Sequence, residues 1–441
     1  MNAPTPGKRR VAITGIGLVT PVGNDVATTW SALLAGRSGG APITIFDASG
    51  FPVRIASEVK GFDDAAAGDR KLLKLTTRPH RFALAAAEQA FVDAGIRPTP
   101  ATATRWGCAV GAGMMTSEYV DLAVTHAHSG ADGELHSDLL LSDPAANDPI
   151  VFCRSQATAG IALLTRRYGI RGYATSVHTA CASGGQALGT ALKLIRRGAV
   201  DCVLAGGFDS MISPVGLAGF CLLSAVSPDN DSPERASRPF DATRNGFLLG
   251  EGAGFLVLEE WSSARRRGAR IYAELAGDGN SLSSYRITDS PPDGDGPIQA
   301  MRAALADAGA IPADIDYLNA HGTSTPMNDK SESAATHVVF GSDVGRVSVS
   351  STKSTMGHLI AAAGAVEVAA CTLAIHHGEM PVNANYREPD PDCALNLVIG
   401  APRRQRVRMA MSNSFGFGGS NSCVVLRHPE EIDGGPAVAP A

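Results

Sequence analysis

Several features that would identify common classes of protein are missing or scarce in this 441-residue chain. No long uncharged apolar run predicts a membrane-spanning helix, and the N-terminal MNAPTPGKRR lacks the apolar stretch of a secretory signal. The eight cysteines are scattered without a CxxC pair, so we expect reduced thiols in the cytoplasm rather than a disulfide framework or a zinc ribbon. A net charge of −5 without a basic block argues against a nucleic-acid partner.

The chain does contain many glycines, 49 in all, and short apolar runs that end in glycine. The segment 9–17 is typical of a buried strand, and the segment 80–95 is typical of a helix that ends in DAG. Another strand-like segment, WGCAVGAG, follows at 106–113. This alternation of strands and helices predicts an α/β fold whose sheets are covered by helices.

Parts of this pattern occur twice along the chain. The repeated pairs are 80–95 with 297–309, and 173–195 with 347–375. In this comparison Cys181 corresponds to His358, and the first half carries 37 additional residues, which we assign to an insertion around 114–150. The repetition predicts two similar halves with the same order of strands and helices.

Cys181 is the first candidate for chemistry, because it lies in SVHTACASGG between a predicted strand and a helix of small residues. At a helix N-terminus the macrodipole and the unpaired backbone N–H groups favour the thiolate, which is the nucleophilic form. Cys181 is therefore a candidate nucleophile. The alternative is a small buried hydrophobic residue, which is the role of most free cysteines.

Two histidines occupy comparable positions in the second half. His321 ends an apolar strand, where the ligand sites of α/β proteins form, and His358 begins an alanine-rich helix. Each could be structural alone, but with Cys181 they could supply a nucleophile and two donors or bases. Lys353 lies in VSVSSTKST, which favours a buried, hydrogen-bonded ammonium over a surface charge.

Two glycine-rich segments are candidates for ligand loops. NSFGFGGSN at 413–421 would let backbone N–H groups approach an anion closely, and the alternative is an ordinary turn. The segment 13–23 lacks the third glycine of a dinucleotide-binding motif, which disfavours a nicotinamide oxidoreductase. No HExxH motif or close group of His, Cys and Asp predicts a metal site, so we expect neither a metal nor another cofactor.

Five segments, in order along the chain, resemble those of the β-ketoacyl-acyl-carrier-protein synthases, above all synthase II and the ketosynthase α subunits of type II polyketide systems. These segments are TACASG around Cys181, 237–260, 320–326, 350–367 and 413–421. The resemblance implies an α/β thiolase-like fold, with two similar βαβαβαββ halves in a five-layered αβαβα arrangement. We place the halves at 9–262 and 268–428, and we expect disordered tails at 1–8 and 429–441.

The resemblance also implies the reaction. Cys181 would take an acyl group from its carrier protein as a thioester, and His321 and His358 would promote decarboxylation of malonyl-carrier protein. The resulting carbanion would attack the thioester and give a 3-ketoacyl product two carbons longer. Such a decarboxylation creates an oxyanion, which two neutral imidazoles can stabilise by donating N–H bonds.

By the same resemblance, further residues receive roles. Lys353 would hold the polar groups of the site in register, and the backbone N–H groups of Cys181 and Phe417 would form the oxyanion hole. Phe417 would also act as a mobile gate of the cysteine pocket. Thr323 and Thr325 would bind the phosphopantetheine arm of the carrier protein.

Three other residues would determine substrate size and docking. Met114 matches a gate residue that limits chain depth. Lys71 and Lys74 match basic residues that contact the acidic carrier protein, and they belong to the densest basic cluster near a helix start, 69–81. The alternative for this cluster is a solvated helix face. A matching arginine in the later loop is absent, which leaves Arg235 as a poor substitute.

Some features depart from the pattern of synthase II. Thr355 and Met356 stand in the reverse of the usual order, and His178 stands where a small hydroxyl residue is common. The loop 224–241 resembles the polyketide ketosynthases more than synthase II. The sequence therefore does not decide between a role in fatty acid biosynthesis and one in polyketide biosynthesis. Because Cys181 is present, we expect the catalytic subunit rather than a cysteine-less chain-length factor. It would act as a homodimer or as a heterodimer with such a factor.

Overall fold

The structure, a computed structural model, describes residues 9–113, 118–126 and 148–432. Its strands are β1 (Val11–Val19), β2 (Ala41–Pro42), β3 (Ile55–Ala56), β4 (Trp106–Ala112), β5 (Ala174–Val177), β6 (Cys202–Ser210), β7 (Glu251–Glu260), β8 (Ala273–Leu282), β9 (Tyr317–Asn319), β10 (Ser348–Ser350), β11 (Glu379–Met380), β12 (Arg403–Arg404), β13 (Met409–Phe415) and β14 (Ser420–Arg427). Met114 and most of the insertion around 114–150 lie outside the described residues.

The α-helices of the described residues differ widely in length. They are α1 (Val26–Leu34), α2 (Arg70–Leu73), α3 (Arg78–Ala94), α4 (Tyr119–His126), α5 (Pro149–Ser155), α6 (Ala159–Tyr168), α7 (Ser183–Arg196), α8 (Pro214–Leu222), α9 (Trp261–Arg266), α10 (Asp295–Ala308), α11 (Pro326–Phe340), α12 (Lys353–Met356) and α13 (Ala363–His377). After β14 the described chain continues into a short 3₁₀ helix, Pro429–Ile432, which extends past the boundary at 428 drawn from the sequence.

Ten of the described strands form one mixed sheet in the order β10-β9-β13-β14-β8-β1-β7-β6-β4-β5. From the centre of the sheet outward, the strands of the first half follow the order β1-β7-β6-β4-β5, and those of the second half follow the order β8-β14-β13-β9-β10. When the five sheet strands of each half are numbered along the chain, both orders are first, fifth, fourth, second and third. The sides meet where β1 and β8 pair antiparallel, Ala12 with Glu274 and Ile13 with Ala273. The duplication expected from the sequence is therefore present in the topology.

Helices lie both between the two half-sheets and outside them. The two inner helices contact both halves: α7 packs on β4, β6 and β8, and α13 packs on β7 and β13. On the outer faces, α3 packs on β1 and β7, and α10 packs on β8 and β14. This order of layers confirms the five-layered α/β arrangement, in which each helical face is buried against a sheet.

One helical stretch of the described residues, Ile360–His377, is long and apolar enough by composition to cross a membrane, with a mean hydropathy of 1.4. The stretch is not an uninterrupted apolar run, since Glu367, Thr372, His376 and His377 lie within it, which is why the sequence alone did not predict a membrane-spanning helix there. In the fold 89% of this stretch is buried, and Glu367 is paired with Lys353. The stretch consists of the 3₁₀ turn Ile360–Ala362 and α13, which is one of the two inner helices.

Candidate active site

Cys181 lies in a 3₁₀ turn, Ala180–Ala182, that leads from β5 into the buried helix α7. Ala180 adopts a φ of +50°, a left-handed conformation that is uncommon for a residue with a side chain. The cysteine is only 6% exposed. The structure thus places Cys181 where the sequence predicts, at the start of a helix of small residues.

The second half repeats this turn. The 3₁₀ turn Ile360–Ala362 leads into α13, and its first residue also has a positive φ, of +48°. The middle residue is Ala361 in the second half and Cys181 in the first, so His358 corresponds to His178. The register drawn from the sequence, with Cys181 opposite His358, is therefore wrong by three residues, because it matched polar residues rather than the backbone turns.

His358 faces the thiol directly. Its Nε2 lies 3.0 Å from Sγ of Cys181, and its Nδ1 accepts the backbone N–H of Ile360 at 3.2 Å. Burial, followed by the nearby charge of Lys353, holds the pKa of His358 well below its ordinary value, so the ring is neutral. Because Nδ1 is an acceptor, the proton of this neutral ring resides on Nε2.

His321 reaches the same state through a different donor. The ammonium of Lys353 lies 3.2 Å from its Nδ1, which leaves the proton on Nε2. Burial, then the charge of Lys353, then His358 lower the pKa of His321 well below its ordinary value. The two imidazole rings meet edge to face with centroids 5.3 Å apart. The backbone N–H groups of His321 and Gly322 donate to the carboxylate of Glu332 at 2.8 and 2.7 Å.

The ammonium of Lys353 is buried, as the sequence predicts. It forms an ion pair with Glu367, which lies fourteen residues later on α13 and is equally inaccessible to water. Burial raises the pKa of the Glu367 carboxyl, and the charge of Lys353 opposes that shift. Lys353 is therefore held between one anion and one neutral ring, that of His321.

The environment of the thiol differs from the prediction in one respect. Burial raises the pKa of Cys181 to about 11, although the charge of Lys353 and the backbone N–H groups of Phe417 and Cys181 itself act to lower it. The helix start favours the thiolate as expected, but desolvation in this closed site outweighs it. The two N–H groups that act on the sulfur are those to which the resemblance assigns the oxyanion hole.

The remaining predicted residues are distributed around this centre. Phe417 is half-buried in a loop that backbone hydrogen bonds tie to Ile287, through Gly418, at 2.6 Å. Thr323 and Thr325 follow His321 closely, and their hydroxyls are hydrogen-bonded to each other at 2.9 Å. The two lysines predicted to dock the carrier protein, Lys71 in α2 and Lys74 just after it, are exposed. Met114 lies outside the described residues.

Sequence reasoning grouped Cys181, His321 and His358 as catalytic candidates but overlooked that together they form a possible set of metal ligands. A ligand atom from each of Cys181, His321 and His358 lies within 4.8 Å of the other two. Both imidazoles, however, hold their Nδ1 against a donor, so neither can move its proton away from Nε2 to bind a cation there. This arrangement favours N–H donation to an anion, and the absence of a metal stays a prediction.

Two buried carboxylates at the site, those of Glu332 and Glu367, were also missed. Burial raises the pKa of Glu332 to about 7, although the N–H groups of Gly322 and His321 and the amide of Asn413 donate to it. The available signal was acidic residues in otherwise small or apolar helical segments, since a charge in such a context needs a partner.

Comparison with known proteins covers both halves of the fold. The chain matches the family model "Beta-ketoacyl synthase, N-terminal domain" at residues 8–264 and "Beta-ketoacyl synthase, C-terminal domain" at residues 272–387. It is 40% identical over 419 residues to the 3-oxoacyl-[acyl-carrier-protein] synthase 2 of Coxiella burnetii, an alignment that covers 95% of this chain and 98% of that protein.

Polyketide enzymes are similarly close. The tetracenomycin polyketide synthase ketoacyl synthase alpha subunit of Streptomyces glaucescens is 39% identical over 427 residues, covering 96% of this chain and 98% of that protein. The solved structure of the ishigamide ketosynthase/chain length factor superposes with a TM-score of 0.85 at 38% identity, covering 96% of this chain and 99% of that one. Since these matches extend over both repeats and nearly the whole of each relative, the chain belongs to the β-ketoacyl synthase family of condensing enzymes.

Proposed function

We propose that this condensing enzyme joins an acyl group, held as a thioester on Cys181, to a two-carbon unit from malonyl-carrier protein. The product is a 3-ketoacyl-carrier protein for fatty acid or type II polyketide biosynthesis. The observation that carries this assignment of residues is the common tautomer of two imidazoles. His321 and His358 both hold Nδ1 against a donor, so both direct an Nε2–H toward the space beside the thiol.

The first step is acyl transfer to the enzyme. The sulfur of Cys181 attacks the thioester carbon of the acyl-carrier protein, a new S–C bond forms, and the carrier thiolate leaves with the proton that Cys181 loses. The backbone N–H groups of Cys181 and Phe417 are directed at this region and would stabilise the tetrahedral oxyanion. Because burial keeps the resting thiol protonated, proton loss accompanies attack rather than preceding it.

The second step is decarboxylation of the malonyl group. The bond between its carboxylate and the methylene carbon breaks, carbon dioxide leaves, and the electron pair forms a thioester enolate. The Nε2–H groups of His321 and His358 would donate to the enolate oxygen. Neutral imidazoles suit this role, because the negative charge they stabilise exists only after the bond begins to break.

Carbon–carbon bond formation completes the cycle. The enolate carbon attacks the thioester carbonyl on Cys181, and collapse of the tetrahedral intermediate expels the Cys181 thiolate, which recovers a proton. The phosphopantetheine arm of the carrier protein would be held by the hydroxyls of Thr323 and Thr325, which follow His321 by two and four residues. Phe417, half-buried in its loop, would gate access to the pocket.

An open sheet edge supports a partner subunit. In the second half the edge strand β10 is covered by its own chain, since Val349 exchanges backbone hydrogen bonds with Asn396 and Val398 at 3.0 and 2.9 Å. The equivalent strand β5 pairs only with β4 among the described strands, and the adjacent Tyr173 is 48% exposed. Such an edge is a template for another chain.

The partner at this edge would be a second ketosynthase-fold subunit. The solved ketosynthase/chain length factor pair is the precedent for a heterodimer. A copy of this chain would give a homodimer, and a cysteine-less homologue would give the heterodimer on which activity could depend. All eight cysteines are free thiols, which supports a cytoplasmic location.

The first prediction concerns the nucleophile. Cys181→Ala should abolish acyl loading while leaving the fold intact, because the substitution removes little more than the sulfur. Intact-protein mass spectrometry after incubation with an acyl-carrier protein should show an acyl adduct on the wild-type chain only, with circular dichroism as the control for folding. An adduct of equal yield on the variant would contradict the assignment.

The two histidines should act after loading. His321→Ala and His358→Ala should still acquire the acyl adduct but should condense with malonyl-carrier protein roughly 100-fold more slowly or worse, since each loses about 3 kcal/mol of oxyanion stabilisation. The measurement pairs adduct mass with the rate of carbon dioxide release from labelled malonyl-carrier protein. Wild-type turnover in both variants would make the histidines structural.

The buried ion pair should have a separable effect on stability. Lys353→Met leaves Glu367 buried without a cation, which should cost about 3–5 kcal/mol of unfolding free energy. Without the opposing charge of Lys353, the folded-state pKa of that carboxyl rises further above its unfolded value, so this deficit should grow as the pH rises above the ordinary glutamate pKa of 4.5.

Denaturant unfolding at several pH values measures this deficit. In the double variant Lys353→Met/Glu367→Leu, stability should recover and lose its extra pH dependence, but condensation should stay low because His321 lacks its donor. A double variant no more stable than the single variant would contradict the pairing.

Carrier docking supplies a further test. Charge reversal in Lys71→Glu/Lys74→Glu should raise KM for the acyl-carrier protein, more strongly at low salt, where surface charges are less screened. Reactivity toward a small acyl thioester, which needs no docking, should stay near the wild-type value. Arg302→Glu, at another exposed position on α10, is the matched control. Equal loss with both substrates would assign the lysines to the fold.

A further inference from the structure

Asp209, at the end of β6, is a buried carboxylate that the reaction does not use. It is 1% exposed, and its Oδ2 accepts the backbone N–H of Ala361 at 3.0 Å. Within the described part of the chain, backbone N–H groups alone are its stabilising partners, those of Ala361 and Ser210. A buried acid without a paired cation is unfavourable, so its presence calls for a function.

The bond from Asp209 ends on the turn that orients His358. Ala361 is the middle residue of the turn Ile360–Ala362, whose first residue has the unfavourable φ of +48°. The N–H of that first residue, Ile360, is the donor to Nδ1 of His358. A continuous chain of contacts therefore joins Asp209 through the turn to the imidazole whose Nε2 lies 3.0 Å from Cys181.

The internal repeat indicates what this contact does. The N–H of Cys181, in the middle of the first turn, acts on the sulfur and is available to a transient oxyanion. The corresponding N–H in the second turn belongs to Ala361 and is occupied by the carboxylate of Asp209. The same backbone N–H thus serves a transient oxyanion in one half and a resident carboxyl oxygen in the other.

In each half, the 3₁₀ turn is packed against a segment of the other half. The loop after β13 packs on the first turn, where a Cβ on Gly416 would lie 3.2 Å from the nitrogen of Cys181. Strand β6 packs on the second turn, where a Cβ on Gly207 would lie 2.7 Å from the oxygen of Ala361. Each turn is therefore closed by the opposite half, and Asp209 belongs to the half that does not carry His358.

We propose that Asp209 is a positioning residue for His358, which holds the turn Ile360–Ala362 so that Nε2–H stays directed at Cys181. Without the carboxylate, the strained turn can relax, the N–H of Ile360 can leave Nδ1, and the proton can occupy either nitrogen. The proposal rests on the proposed function, in which that Nε2–H stabilises the enolate, and Asp209 itself touches no reacting atom.

The test combines a spectroscopic and a kinetic measurement on the full chain. Nitrogen-15 NMR of histidine-labelled protein, with His358 assigned by difference from His358→Gln, reports which ring nitrogen carries the proton. In Asp209→Ala, His358 should lose its single Nε2–H tautomer, and condensation should fall at least about tenfold relative to acyl loading, since small misplacements of catalytic groups are costly. Asp209→Asn, whose amide oxygen can accept from Ala361, should retain both properties.

Two controls make the outcome decisive. Glu58→Ala removes another buried carboxylate that accepts backbone N–H groups, those of Thr44 and Ile45, and it should leave the His358 signal unchanged. If Asp209→Ala does not fold, Asp209→Ser replaces it, since its hydroxyl ends one bond short of the carboxylate oxygens. An unchanged tautomer and condensation-to-loading ratio in the folded variant would overturn the proposal. Because the tautomer is read on unloaded protein, failure of the proposed reaction remains distinguishable.

Discussion

The site depends on a single ammonium placed inside the core. Lys353 is tolerated there because Glu367 neutralises it, and a buried charge without such a partner would destabilise the fold strongly. Once held, the ammonium fixes the tautomer of His321 and helps to keep His321 and His358 neutral. It is also the largest influence that opposes the effect of burial on the thiol of Cys181. One ion pair thus acts, together with burial, on the protonation of all three residues at the centre of the site.

The two imidazole rings of the site are oriented by different kinds of donor. His321 is oriented by a side-chain ammonium, whereas His358 is oriented by a backbone N–H from a turn with a left-handed residue, Ile360. In the first half the equivalent turn holds Cys181, the proposed nucleophile. The repeat therefore contains two copies of the same turn, of which one holds Cys181 and the other donates the N–H of Ile360 to His358.

The sequence predicted the fold class, the repeat and the three central residues, because strand-to-helix junctions and motif order are local signals. The register of the repeat was wrong, and the partners of the central residues were missed, because those depend on contacts remote in sequence. Cys181 and His358 are 177 residues apart, and Asp209 and Ala361 are 152 apart. The prediction of a thiolate at Cys181 was wrong for the same reason, because the burial that raises the pKa of the thiol arises only in the assembled core.

The burial of Ile360–His377 has a consequence for how the chain is made. This stretch leaves the ribosome late in synthesis, and β13, one of the strands that bury it, follows it in sequence. While that strand is still within the ribosome, this apolar helix can pack only on elements that precede it, chiefly β7 of the first half. Early folding of the first half is then a safeguard against misinsertion and aggregation, and chains terminated just after residue 377 would be the species that most need a chaperone.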